Sequence, residues 1–167
     1  MNVFLKRTTV VFCLLMALIP KVSIAQDEKI QAIFLYKFIE NINWPDSRKD
    51  LVVGIVGKTA VQDEFKKILQ SRNNNAISVK KITSREAVNC DIVFLPEKEN
   101  SALTTIVENT NGKSILIVTE AAGLIKKGAC ISFLREKNKL CFTVNKSMLD
   151  LRSLRVSTAL LNLSQHI

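Results

Sequence analysis

Gly57-Lys58-Thr59 directly follows the apolar run Leu51–Val56, where a phosphate-binding loop would sit in a chain of alternating strands and helices. Such a loop needs a glycine five residues ahead of the Gly-Lys pair, so that its backbone amides curl around the phosphate. Position 52 is Val, and the nearest earlier glycine, Gly54, lies inside the run. Nucleotide binding is therefore not expected, and the triplet supports no more than weak anion binding at the next helix N-terminus. His166 is the only imidazole and stands one residue from the C-terminus, without the scaffold that orients a catalytic base. The carboxylates Asp46, Asp50, Asp91, Glu97, Glu99 and Glu120 contain no pair singled out by spacing; they read as strand-end and helix-cap groups. No catalytic residue and no cofactor is assigned. The chain reads as non-enzymatic, with a hydrolase using an unrecognised carboxylate site as the remotest alternative.

Cys13, Cys90, Cys130 and Cys141 show neither Cys-x-x-Cys spacing nor neighbouring His or carboxylate ligands, so no metal site is expected. Cys90, Cys130 and Cys141 lie in or beside runs of strand character. Each reads either as a small buried hydrophobe or as a redox or structural cysteine.

The 167 residues carry 24 Lys and Arg against 15 Asp and Glu, a formal charge of +9, with 47% hydrophobic and 23% charged types. That balance can build a core and excludes a disordered tail. The basic pairs Lys66-Lys67, Lys80-Lys81 and Lys126-Lys127 are separated by acids and apolar runs. They read as solvated faces first, and as a bias toward anionic lipid headgroups second. One Tyr and one Trp do not make a stacking platform, and nucleic acid is not an expected partner.

Residues 1–25 have the form of a secretory signal peptide: Lys6 and Arg7 precede the apolar run Val10–Ile19, and Ser23 and Ala25 are small residues two apart before polar Gln26-Asp27-Glu28. Ten apolar residues span about 15 Å as a helix, half the hydrocarbon thickness, which disfavours a retained anchor. Residues 26–167 then form one exported domain with no stable transmembrane segment. Loss of Lys6, Arg7 and Lys21 lowers the charge from +9 to +6. Three cysteines remain, an odd number, so in an oxidising compartment at least one thiol is free or paired between chains.

The elements that would position any site alternate. Lys29–Asn43 reads as a helix, with Ile30, Phe34 and Phe38 on one face and Ile33, Leu35, Ile39 and Ile42 broadening it enough to imply burial on two sides. Trp44-Pro45 ends it, because the residue before Pro is pushed out of the helical region. Strands are expected at 51–56, 76–82, 91–95 and 114–119, with helices at 63–70 and 97–109 between them. Apolar runs separated by helices require a mostly parallel sheet covered on both faces. The rhythm then changes. Residues 129–134 and 139–144 are separated by too little chain for a crossover helix and should form an antiparallel hairpin. With Lys137-Asn138 at the turn, Phe133 faces Phe142 and Leu134 faces Cys141. Cys130 then falls opposite Asn145, about 13 Å from Cys141 at strand rise. Disulfides need Cα separations below about 7 Å, so a Cys130–Cys141 bridge is disfavoured. Asn145 is placed as the cap of a short helix through Leu151, and Ser157 as the cap of a last helix carrying Leu160, Leu161 and Leu163.

The fold class is thus α/β, a mostly parallel central sheet flanked by helices and ending in an antiparallel hairpin and C-terminal helical segments. The aromatic opening helix and the Leu-rich end are candidate protein-interaction surfaces, through Phe34, Phe38, Trp44, Leu154, Leu160 and Leu161, for a receptor or a homodimer. If the chain is instead a periplasmic small-ligand sensor, the strand C-terminal edge around Gly57, Lys58, Pro96 and Glu120 is the default pocket.

Several segments resemble the YfiR-like periplasmic proteins. Gln31-Ala-Ile-Phe-Leu-Tyr-Lys-Phe38 through Asn43-Trp-Pro45 is similar to that family's opening Ala-x-Phe-Leu-Tyr-x-Phe and Trp-Pro. Cys90-Asp-Ile-Val-Phe-Leu95, Gly112–Thr119 with Gly123, Gly128 and Ile131-Ser-Phe133, then Phe142-Thr-Val-Asn145 and Leu154–Leu161 resemble its later segments. The likeness covers nearly all of residues 26–167. It departs at Gly128-Ala129, where the family often has Gly-Gly, and at Leu124, where an aromatic is common. The resemblance implies a compact periplasmic α/β protein that binds the periplasmic sensory region of an inner-membrane diguanylate cyclase and keeps its cytoplasmic output inactive, without catalysis of its own. It also implies paired cysteines whose oxidation supports folding, which the odd count here does not match.

Overall fold

A computed structural model of the chain describes residues 22–46, 50–137 and 139–165. Its core is a six-stranded sheet. Strand β2 (Leu51–Val56) lies between β3 (Ile77–Ile82) and β4 (Ile92–Leu95); β5 (Leu116–Thr119), β6 (Ile131–Glu136) and β7 (Lys139–Val144) follow, giving the order β3-β2-β4-β5-β6-β7. All neighbours run parallel except β6 and β7. Every residue of β4 and β5 is buried, which is why both read as unbroken apolar runs rather than as alternation. The outer strand β3 buries Ile77 and Ile82 and exposes Lys80 and Lys81, charges that discourage pairing with another chain. The other outer strand, β7, has its edge partly covered: the Gln165 N–H donates to the Phe142 carbonyl at 2.9 Å.

The hairpin has the register that the sequence predicts, Phe133 facing Phe142 and Leu134 facing Cys141. Lys137 takes the positive φ at the turn, +46°, while Asn138 lies outside the described residues. Cys130 does stand opposite Asn145, whose N–H donates to the Cys130 carbonyl at 2.8 Å. Asn145 Oδ1 accepts from Met148 N–H at the start of α4 (Lys146–Leu151), and Ser157 Oγ from Leu160 N–H at the start of α5 (Thr158–Leu163), the two caps expected.

Helices cover both faces of the sheet's parallel part, α2 (Val61–Ser71) following β2 and α3 (Leu103–Asn109) following β4. The predicted helix 97–109 begins instead as a 3₁₀ segment, Glu97–Ala102, before tightening gives way to α3. Helix α1 runs Val22–Asn41, two residues shorter at its end than the sequence suggests. Ile42–Asn43 leave it as β1 and pair antiparallel with β8 (Arg155–Val156). Ser157 secures the exit: its N–H donates to the Asn41 carbonyl at 2.9 Å and its Oγ to Asn41 Oδ1 at 2.8 Å. A partner more than a hundred residues away thus ends the helix earlier than Pro45 would. The apolar face of α1 seats on the hairpin, where Phe34 and Phe38 meet Phe142 at ring-centroid distances of 5.2 and 5.0 Å and Phe133 at 6.0 and 5.8 Å.

Residues 1–21 of the expected signal peptide lie outside the described residues, and its last four continue α1. Among the described residues no helix is long and apolar enough to cross a membrane.

Candidate functional site

The interaction residues named from the sequence separate into two groups. Phe38, Leu154 and Leu160 are core residues, at most 2% exposed, and Phe34 and Leu161 are half-buried. The opening helix therefore does not present an apolar patch through its phenylalanines, because the β6–β7 hairpin covers that face. Among the described residues, the large apolar side chains that are exposed are Ile33, Leu151 and Leu163.

Trp44 and Leu154 do come together, as buried walls of one cleft of about 520 Å³ that Asn43, Pro45, Asp150 and Arg155 complete. The β1–β8 pairing brings these segments side by side. Trp44 is buried except for 9% of its surface, and its indole N–H has no acceptor among the described residues. The segment that leads into Ser153 and Leu154 is anchored outside the cleft by Arg152, which sequence reasoning missed. Its Nη1 donates to the Thr110 carbonyl and hydroxyl, each at 3.1 Å, and to the Lys113 carbonyl at 3.4 Å. The Thr110 carbonyl lies at the C-cap of α3, where the helix dipole favours a cation, and the Lys113 carbonyl in the turn just beyond it. Burial lowers the guanidinium's pKa from its ordinary value. With Arg152 fixed, Ser153 turns at φ +56° and Leu154 is delivered into the cleft.

A second cleft, of about 490 Å³, opens at the strand C-terminal edge. The strand order makes this the place where crossovers leave β2 and β4 in opposite directions, the topological switch point at which open α/β sheets bind ligands. Lys58 and Thr59 come from the loop after β2, Pro96, Glu97 and Lys98 from that after β4, and Glu120 from that after β5; Asp27, Glu28 and Arg135 close the side. Gly57 turns the chain at φ +72°, and a Cβ there would collide with the Glu99 carboxylate. The Gly57 N–H is directed to the Ile82 carbonyl at 3.4 Å, within the sheet. Glu120 is held from two sides: Oε1 accepts from Gln31 Nε2 at 3.0 Å, and Oε2 from the Glu97 N–H at 2.8 Å. It thereby caps the helical segment 97–109 from a distant strand, as the cap reading of these carboxylates expects. Asp91 likewise accepts from the Val52 N–H at 2.8 Å, tying β4 to β2.

Cys90 and Cys130 are buried and Cys141 is half-buried; all three are free thiols. Burial pushes the Cys90 and Cys130 thiols up from their ordinary value. Among the described residues no group of three or more His, Cys, Asp or Glu side chains could hold a metal ion.

The sequence model of a family described as YfiR/HmsC-like matches residues 28–165. A comparison with curated proteins finds no match. Two solved structures share the fold. A conserved domain protein from Vibrio cholerae O1 biovar eltor str. N16961 aligns with a TM-score of 0.58 at 12% identity, over 83% of this chain. The ABC domain of a Streptococcus pneumonia protein, solved in complex with L-Trp, aligns with a TM-score of 0.56 at 10% identity, over 82%. The chain spans 59% of the length of each.

Proposed function

Because the chain belongs to the YfiR/HmsC-like family, we propose that it is an exported, non-enzymatic regulator that binds the periplasmic sensory region of an inner-membrane diguanylate cyclase and holds the cyclase inactive. The observation that carries this reading is the family match over 28–165, nearly everything that follows the signal-peptide-like residues 1–25. Export gives such a chain access to the outward-facing part of a membrane receptor.

Binding alone does not repress. The regulator must bind the inactive receptor conformation more tightly than the active one, and the receptor's inactive population rises by that ratio. A tenfold preference supplies about 1.4 kcal/mol. The Trp44–Leu154 cleft is the proposed docking surface. It offers an indole N–H awaiting an acceptor, the apolar Pro45 rim, and the exposed Arg155 for a negative charge on the partner. Trp44 and Leu154 were the two sequence-named residues that share a cavity, and an anchoring aromatic beside a charged rim suits a protein interface.

The test is cellular cyclic-di-GMP in a deletion strain, together with co-purification from the envelope fraction. Deletion is expected to raise cyclic-di-GMP, and the wild-type chain to restore it. Arg155→Glu, an exposed change that spares the core, should restore it poorly while accumulating normally. Unchanged cyclic-di-GMP on deletion, with no membrane sensor co-purifying, would refute repression.

A further inference from the structure

The turn that leaves α3 holds the chain's one Asn-Gly pair, Asn111-Gly112. Asparagine is chemically labile because the backbone nitrogen of the next residue can attack its side-chain amide carbon and close a five-membered succinimide. A side chain on that next residue obstructs the approach, and a hydrogen bond from its nitrogen holds the nucleophile back. Neither obstacle is present here. Gly112 stands at φ +70°, and a Cβ built on it would meet nothing within 4 Å. Its N–H donates to no acceptor among the described residues, whereas its neighbours are tied: Asn111 N–H donates to the Glu108 carbonyl at 3.2 Å and Lys113 N–H to the Thr110 carbonyl at 3.1 Å. Asn111 and Gly112 are both exposed, so water reaches the pair.

The pair also lies between the two carbonyls that hold Arg152. A single nitrogen, Nη1, reaches the Thr110 carbonyl at 3.1 Å and the Lys113 carbonyl at 3.4 Å, the residues immediately before and after Asn111-Gly112. Arg152 is 4% exposed, and its Nε already lacks an acceptor. We propose that Asn111-Gly112 is a self-modification site, at which conversion to isoaspartate releases the Arg152 anchor with water as the only co-reactant. First the Gly112 nitrogen bonds to Asn111 Cγ, the Cγ–Nδ2 bond breaks, and Nδ2 leaves as ammonia with the Gly112 amide proton. Water then adds to the Asn111 main-chain carbonyl carbon and breaks its bond to the Gly112 nitrogen, which remains an N–H amide on Cγ. The old main-chain carbonyl becomes a carboxylate, and nothing is oxidised or reduced. The chain is now one methylene longer between Thr110 and Lys113, so their carbonyls lose the spacing that one nitrogen bridges. Because Arg152 leads directly into Ser153 and Leu154, the same event loosens a wall of the Trp44 cleft. The inference stands apart from the receptor reading, since its readouts are covalent structure and stability.

The experiment ages the purified protein at physiological pH and temperature and follows it by tryptic mass spectrometry and by methyl transfer from S-adenosylmethionine with an isoaspartyl methyltransferase. The peptide Glu99–Lys113 is expected to acquire isoaspartate at position 111 ahead of every other asparagine in the chain. The aged chain should show a lower urea midpoint, with an unfolding constant raised by about tenfold, as loss of a buried guanidinium's acceptors implies. Asn111→Gln, which would have to close a six-membered ring, should start with the wild-type midpoint and keep it through ageing. Asn111→Asp adds the charge without rerouting the backbone and should also start near the wild-type midpoint. Absence of isoaspartate at 111, or its formation no sooner than elsewhere, would overturn the inference. So would an isoaspartyl chain with an unchanged midpoint, and so would an equal loss in freshly prepared Asn111→Asp, which would trace the effect to charge rather than to a released anchor.

Discussion

Arg152 carries a charge into the interior and meets carbonyl oxygens there rather than a carboxylate. Replacing it with Ala strands the end of α3 and removes the support of the turn at Ser153, so Arg152→Ala should cost about 2–4 kcal/mol, read as a lower urea midpoint. Nothing in the local sequence announces this role, since its acceptors, Thr110 and Lys113, are about forty residues away. The thiols behave differently from one another for a reason of burial. Iodoacetamide should label Cys141 in the folded chain and reach Cys90 and Cys130 only on unfolding. Because burial raises the pKa of those two thiols, the folded chain keeps their protons to higher pH than the unfolded chain does. Stability is then fullest below the unfolded value, about pH 8.5, and falls as pH rises through the folded ones. Urea titrations at pH 7 and 10 should show the decline, and Cys130→Ala should flatten it.

Among the elements, the hairpin was the most legible. A connection too short for a crossover fixed the strands as antiparallel, and alternation fixed which residues face each other. Its partner could not be read off. The breadth of the apolar face on α1 announces burial but not what does the burying, and only the packed structure shows Phe34 and Phe38 against Phe133 and Phe142. Those two residues consequently serve folding, and the interaction surface shifts to the segment where α1 ends. Phe38→Ala should cost about 3–5 kcal/mol, as truncation of a fully buried aromatic does. Circular-dichroism-monitored denaturation would measure it; a loss below 1 kcal/mol would mean that the helix is not seated as described. The early end of α1 was illegible for the complementary reason: Pro45 is a local signal, whereas the β1–β8 pairing depends on the far end of the chain.

At the scale of the whole molecule, the apolar runs gave the sheet and its direction, because strands covered on two faces leave no room for alternation. The pocket expected around Gly57, Lys58, Pro96 and Glu120 has a cavity lined by the last three, since strand order alone fixes a switch point. The Trp44–Leu154 cleft was only half visible: both residues were named, but as members of an exposed patch rather than as walls. The two clefts lie at opposite ends of α1, which contributes Asp27 and Glu28 to one and leads into Asn43 and Trp44 at the other. Arg155→Glu, in the cleft where α1 ends, should accordingly disturb cyclic-di-GMP, whereas Lys58→Ala/Lys98→Ala, in the other cleft, should leave it unchanged.

The single backbone bond from Gln165 to Phe142 has a practical corollary for anyone handling the protein. On β3 the lysines repel strangers, but β7 depends on its own tail for shelter. A preparation clipped after Leu163 would lose that bond and free the Phe142 carbonyl on an outer strand that also carries the half-buried Cys141, inviting strand-by-strand self-assembly that thiol oxidation could then lock in place. Clumping in aged samples, absent when the tail is intact, would therefore be damage at one border of the sheet and should not be mistaken for a physiological oligomer.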